Sequence, residues 1–126
     1  MIVAGIGCRK GADAAAIEAA ITAALEHAGV AKIDLVATAM AKREEKGIVE
    51  AASARGVPLV LVHQADLEVA SARGATWSGR VLALAGVPSV AEAAALAACG
   101  PESKLILPRI VVGPVTIALA SAGETP

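Results

Sequence analysis

The chain has no phenylalanine, no tyrosine and a single tryptophan, Trp77. Rings on which a flat ligand could stack are therefore nearly missing, and the core must be built from Ala, Val, Ile and Leu. Cysteine is scarce as well. Cys8 and Cys99 stand far apart without companions at metal-ligand spacing, which sets structural zinc aside, and no disulfide is expected of a cytosolic chain. Neither sign of charge is in excess. With 11 basic against 12 acidic side chains the net charge is -1, so the overall basic face that nucleic-acid binding draws on through counterion release is lacking. Long apolar runs are absent too. Hydrophobic residues make up 56% of the chain, but much of this is alanine, and no stretch of roughly 18 strongly apolar residues predicts a membrane span. The first residues carry neither a basic n-region nor a cleavage site, so the apolar start reads as a buried strand and the chain as cytoplasmic. Its 126 residues fit one domain, 1–126.

What is present alternates. Residues 2–6 (IVAGI) have the shape of a strand buried on both faces. Asp13 is a suitable N-cap for a helix in which Ala14, Ile17, Ile21, Ala24, Leu25 and Ala28 recur at helical spacing before Gly29 ends it. A second strand is expected over 33–39. A charged turn, KREEKG, then leads into a helix with Ile48, Ala51 and Ala52 on its apolar stripe, stopped by Gly56 and Pro58. PLVLVH predicts an interior strand, and the stretch from Ala65 to Arg80 combines a candidate short helix, ADLEVA, with the turn-rich ARGATWSG and is treated as a loop region. VLALAG suits strand or helix. PSVAEAAALAACGP is punctuated as a helix, with Ser89 as N-cap, Glu92 three residues on, and Gly100 with Pro101 as the stop. The final KLILPRIVVGPVTIALASA reads as one or two buried strands interrupted by prolines. The pattern predicts an α/β fold: a single-domain three-layer sandwich, a mainly parallel sheet flanked by helices. Ligands of such sheets gather at the carboxyl ends of the strands, where GCRKGAD and HQAD would lie.

The opening loop is the first candidate site. Gly5 and Gly7 begin a dinucleotide fingerprint, but Lys10 stands where its third glycine belongs and Gly11 comes one residue late. No Gly-Lys-Ser/Thr follows, so the Walker pattern fails too. A general anion site survives this comparison: helix-start N–H groups beside Arg9 and Lys10 suit a carboxylate or phosphate, against the plainer reading of a tight turn with two solvated cations. Cys8 lies near a helix start with basic neighbours, conditions that favour a thiolate, and His63 would serve it as base if their strands were adjacent. The alternative for Cys8 is a small residue packing beneath the loop. His27 reads as a last-turn residue facing the negative end of its helix. In SVAE the Glu92 carboxylate is placed to reach back to the Ser89 N–H as a capping box. Glu44, Glu45 and Glu50 surround a charged turn, where a solvated helix start is the default, and Thr116 stands in an apolar strand.

Four stretches in order, GIGCRKG, KREEKGIVEAA into GVPL, PSVAEAAALAACG and VTIALA, resemble the cobalamin-biosynthesis CobE family, whose domain also forms the C-terminal part of CbiG proteins. The resemblance spans nearly the whole chain. It implies a role in making the corrin ring, with two forms: binding or handing on a corrinoid or precorrin intermediate, or an enzymatic step of the same pathway, either a lactone opening like that attributed to CbiG or a rearrangement. A nucleotide-binding module is the remaining alternative. Positions that match the family are Gly5, Gly7, Cys8, Arg9 and Gly11 in the first stretch, Glu45, Gly47 and Glu50 in the second, and Ser89, Glu92 and Ala95 in the third. TAMAKREEKG departs from the aspartate-and-lysine stretch more usual before that glycine, and Ala91 and Ala93 stand where relatives often carry cysteine and proline. Corrin precursors bear many acetate and propionate arms, which Arg9, Lys10, Lys42 and Arg43 are suited to meet. The expected ligand site is therefore the glycine-rich loop with these cations, Ser89 and Glu92; the candidates for any catalysis are Cys8, His63 and Glu45. No metal and no cofactor is expected. The expected partners are the corrinoid, other enzymes of the pathway and further copies of the chain.

Overall fold

The structure, a computed structural model, describes residues 1–8, 11–40, 45–73, 90–100 and 102–122. Strand β1 (Ile2–Cys8) leads to helix α1 (Ala14–Ala28), strand β2 (Leu35–Ala39), helix α2 (Lys46–Arg55), strand β3 (Leu59–Val62) and helix α3 (Gln64–Arg73). Helix α4 (Val90–Cys99) and the strands β4 (Lys104–Val112) and β5 (Val115–Ser121) complete the described elements. The five strands form one sheet in the order β3-β2-β1-β5-β4.

Local chemistry explains the element ends. Asp13 Oδ1 accepts the Ala16 N–H at 2.9 Å and so caps α1, and Gly29 at φ 71° closes it by donating its N–H to the carbonyls of Leu25 and Glu26. Gly56 at φ 70° closes α2 in the same way. Arg55, in the last turn of α2, reaches Glu18 Oε1 at 2.6 Å and Thr22 Oγ1 at 2.7 Å and so ties α2 to α1.

Alternation in β1 sends Ala4 and Ile6 to one face and Val3, Gly5 and Gly7 to the other. On the first face α1 and α2 pack Ile17, Ile21 and Ile48 against Ile6, Val36, Ile117 and Leu119. On the second, α3 and α4 bring Leu67, Ala70, Ala94, Ala95 and Leu96 against Val3, Ala37 and Ala120. Two cores on two faces make three layers, as the alternation of elements predicts.

The sheet is parallel over β1–β2 and β2–β3 and antiparallel over β1–β5 and β5–β4. The expected mainly parallel sheet is thus matched in its first half, and an antiparallel hairpin supplies the rest. The reason lies in the connection: Gly113 and Pro114 alone join β4 to β5, and two residues can reverse a chain but cannot carry it back across a sheet. Gly113, at φ 60°, occupies the first turn position, where a type II′ hairpin takes glycine.

Two other expectations change. Among the described strands PLVLVH lies at the edge, not in the interior, and its residues are correspondingly half-buried up to Val62. Residues 64–73 are helical where a loop was expected; Leu67 and Ala70, three apart, seat one face of α3. The reading of VLALAG lies outside the described residues.

Candidate functional site

Parallel strands place their carboxyl ends on one edge: Cys8 of β1, Ala39 of β2, and Val62 of β3 with His63 beyond it. Val115 pairs with Cys8, so the Gly113–Pro114 turn lies on that edge too. Helices α1, α2 and α3 begin there because each follows one of these strands, and Val90 starts α4 above Gly7.

Three contacts build the floor of this edge. Gly11, at φ 85°, donates its N–H to Glu45 Oε1 at 3.0 Å, linking the first loop to the start of α2. Gly47 packs flush on that loop, since a Cβ there would run into the Ala12 carbonyl oxygen. Thr38 Oγ1, fully buried, donates to the Ile6 carbonyl at 2.7 Å between β1 and β2. A shallow depression of about 390 Å³ lies over the loop–α2 junction, with Asp13, Glu45, Glu50 and Lys46 in its lining. Among the described residues two of its acids are engaged: Asp13 caps α1 and Glu45 holds Gly11. Another, of about 480 Å³, opens on the opposite edge between Lys32, Asp34 and Arg55. There Asp34 Oδ2 accepts the Ile2 N–H and Arg55 is bound to Glu18, so both groups are occupied by the fold.

The residues expected at the site separate into groups. Arg9, Lys10, Lys42, Arg43 and Ser89 lie outside the described residues. Gly7, Cys8, Gly11 and Glu45 lie on the carboxyl edge. Gly5, grouped with them by sequence, is instead buried under α4, where a Cβ would strike the Ala91 carbonyl oxygen and come within 2.7 Å of the Ala95 nitrogen. Its lack of a side chain serves helix packing. Cys8 is half-buried and packs towards the α1 core. His63 is exposed at the end of β3, and β2 intervenes, so the adjacency needed for a Cys8–His63 pair is not met: two strand spacings of about 4.8 Å separate their strands. Glu92 is 3% exposed and its Oε2 accepts the Arg109 N–H at 3.0 Å. That bond braces α4 against β4 beside Pro108, where the ladder register shifts. Sequence spacing could not reveal it, because the partner lies 17 residues away on another element. Thr38 was missed for a similar reason: a threonine in an apolar strand looks like any β-branched strand residue.

Glu45→Ala removes the acceptor for Gly11 and is expected to destabilise the fold by about 1 kcal/mol, since the bond is exposed. A urea midpoint that does not move would show that the loop is held without it.

Five strands with a parallel half, helices on both faces and a loop-bearing carboxyl edge define an α/β domain. The chain belongs to the family described as cobalamin synthesis G C-terminus, whose model matches residues 2–120. It is 40% identical over 121 residues to the protein CobE of Sinorhizobium sp, covering 94% of this chain and 79% of that one. Among solved structures it resembles the cobalamin biosynthesis protein chiG from Agrobacterium tumefaciens str. C58, with 44% identity, a TM-score of 0.84 and coverage of 98% of this chain and 100% of that one. It also resembles CobE, a protein from the cobalamin (vitamin B12) biosynthetic pathway, with 30% identity, a TM-score of 0.85 and coverage of 100% and 93%. The chain is thus a cobalamin biosynthesis protein of the CobE/CbiG type. Among the described residues no helix is long and apolar enough to cross a membrane.

Proposed function

We propose that this protein binds a corrinoid or precorrin intermediate by its carboxylate arms and hands it to other enzymes of the pathway in the cytoplasm. One observation carries the reading: β1 ends at Cys8 on the open carboxyl edge, and the chain continues from there directly into Arg9 and Lys10. A guanidinium donates two parallel N–H bonds to a carboxylate, and the arms of a corrin precursor offer several such groups. Lys42 and Arg43 follow the end of β2 by three and four residues and extend the same basic supply. Binding is favoured over catalysis because the three candidate groups are dispersed. Cys8 and His63 are separated by β2, and Glu45 is engaged by Gly11.

Spectroscopic titration tests this. Cobyrinic acid, a corrin with free acetate and propionate arms, is expected to shift its absorbance on mixing, and cyanocobalamin, with those arms amidated, is expected to bind far more weakly. Arg9→Ala should weaken binding about tenfold or more. No absorbance change with cobyrinic acid, or equal affinity for the amidated ring, overturns the reading. Formation of a new product that Cys8→Ala, His63→Ala or Glu45→Gln abolishes would favour an enzyme instead.

A further inference from the structure

Glycine in a central strand needs a reason, since it orders more backbone than alanine and brings no side chain to pack. Gly5 has one, the close approach of α4. Gly7, two residues on and facing the same side, does not. Its φ is not positive, and among the described residues the nearest atom to a Cβ built there is Val90 Cβ at 4.0 Å, an ordinary contact. Neither backbone conformation nor packing within the described residues calls for glycine at this position.

The surroundings of Gly7 share the same openness. In the antiparallel ladders Gly7 lies opposite Thr116, and Thr116 opposite Val111, so the three form one row across β1, β5 and β4 on the α4 face. The next row on that face, Gly5 and Ala118, is covered by α4; Ala118 is fully buried. Helix α4 begins at Val90, above Gly7, and the row beyond is left open: Val111 is 72% exposed and Val90 38%. Two strand spacings give this row a width of about 10 Å. Apart from the Thr116 hydroxyl its surface is aliphatic, and Gly7 precedes Arg9 and Lys10 in the chain by two and three residues.

We infer that the row Val111–Thr116–Gly7, walled by Val90, is the platform on which the methyl-bearing face of the corrinoid rests, with Gly7 left bare so that the ring can approach the strand. This rests on the corrinoid reading above and adds to it the surface that meets the ring itself. A corrin is amphipathic, with an aliphatic, non-planar face inside a fringe of carboxylates. A largely aliphatic platform whose strand leads in sequence to two basic residues suits both parts, and a chain without Phe or Tyr has no stack to offer instead.

The test uses the whole chain and cobyrinic acid as the probe, with Gly7→Ala, Gly7→Val and Val111→Ser. Gly7→Ala is expected to fold with an unchanged or higher urea midpoint and to bind about tenfold more weakly, as one intruding methyl group in an apolar contact does. Gly7→Val should bind more weakly still, and Val111→Ser about fourfold more weakly through lost apolar contact. Should Gly7→Val fail to fold, the other two variants carry the comparison. Wild-type binding with all foldable variants unchanged overturns the platform while the corrinoid reading stands. A lowered midpoint for Gly7→Ala overturns it too, because protein atoms would then fill the space. If the wild type does not bind the probe, the corrinoid reading itself fails, and the platform with it.

Discussion

Gly5→Ala is expected to destabilise the protein by about 3 kcal/mol, at the upper end of what overpacking a core costs. The new methyl group would meet the Ala91 carbonyl oxygen, the Ala95 nitrogen at 2.7 Å and the Ala95 Cβ at 2.9 Å. Two of these atoms are helix backbone and cannot turn aside as a flexible side-chain end would. Helix α4 must therefore retreat from β1, loosening the contacts of Ala94, Ala95 and Leu96 with the sheet. The gain from replacing a strand glycine, roughly 0.5–1 kcal/mol, is too small to offset this. A denaturant titration reads the result directly, and a midpoint equal to wild type would show that α4 is free to shift at no cost. The contrast with Gly7→Ala sharpens the test: the same change, two residues along one face of one strand, should have opposite effects on stability and binding.

Gly47→Ala is the second large effect, a loss of about 2 kcal/mol. Here two known terms compete. Alanine in a helix is better than glycine by about 1 kcal/mol, and Gly47 is the second residue of α2, so propensity alone favours the substitution. Sterics oppose it and win. The added Cβ would overlap the Ala12 carbonyl oxygen and lie within 3.0 Å of the Asp13 carbonyl carbon and 3.2 Å of that of Ala12, all backbone. Overpacking of this kind costs about 1–3 kcal/mol, and here displacement of the loop also strains the Gly11–Glu45 hydrogen bond and the Asp13 cap. Corrinoid affinity is expected to fall with stability, because that loop is the one that continues from β1. A stabilised Gly47→Ala variant would mean that α2 and the first loop do not bear on one another.

These glycines also show how far the sequence was legible. Gly5, Gly7, Gly11 and Gly47 look alike in the chain; the resemblance matches all four, and the opening loop groups the first three in one site. The structure divides them by cause: Gly5 and Gly47 for close backbone approach, Gly11 for its positive φ, and Gly7 for neither. Only three-dimensional neighbours make that distinction. Helix ends with side-chain or left-handed caps were readable, as Asp13, Gly29 and Gly56 show, because capping is a local event. Helix α3 was legible only as the candidate ADLEVA inside a stretch treated as loop, since Leu67 and Ala70 make too thin a stripe to stand out from a polar segment. The direction of β5 was equally hidden. VTIALAS suits a parallel or an antiparallel neighbour, and the short turn before it makes the difference. Glu92 carried a true signal, the first turn of a helix, but its bond to Arg109 depends on how β4 lies across the domain.

The placement of β5 has a consequence for how the chain is made. Ile2 has Ser121 as its ladder partner, and every residue of β1 finds its β5 partner within 115–121, more than a hundred residues later in the chain. The middle of the sheet therefore stays open on one side throughout synthesis until that segment emerges. Maturation waits on the distal stretch, and a nascent chain stalled before it would expose the seam of β1 to other polypeptides.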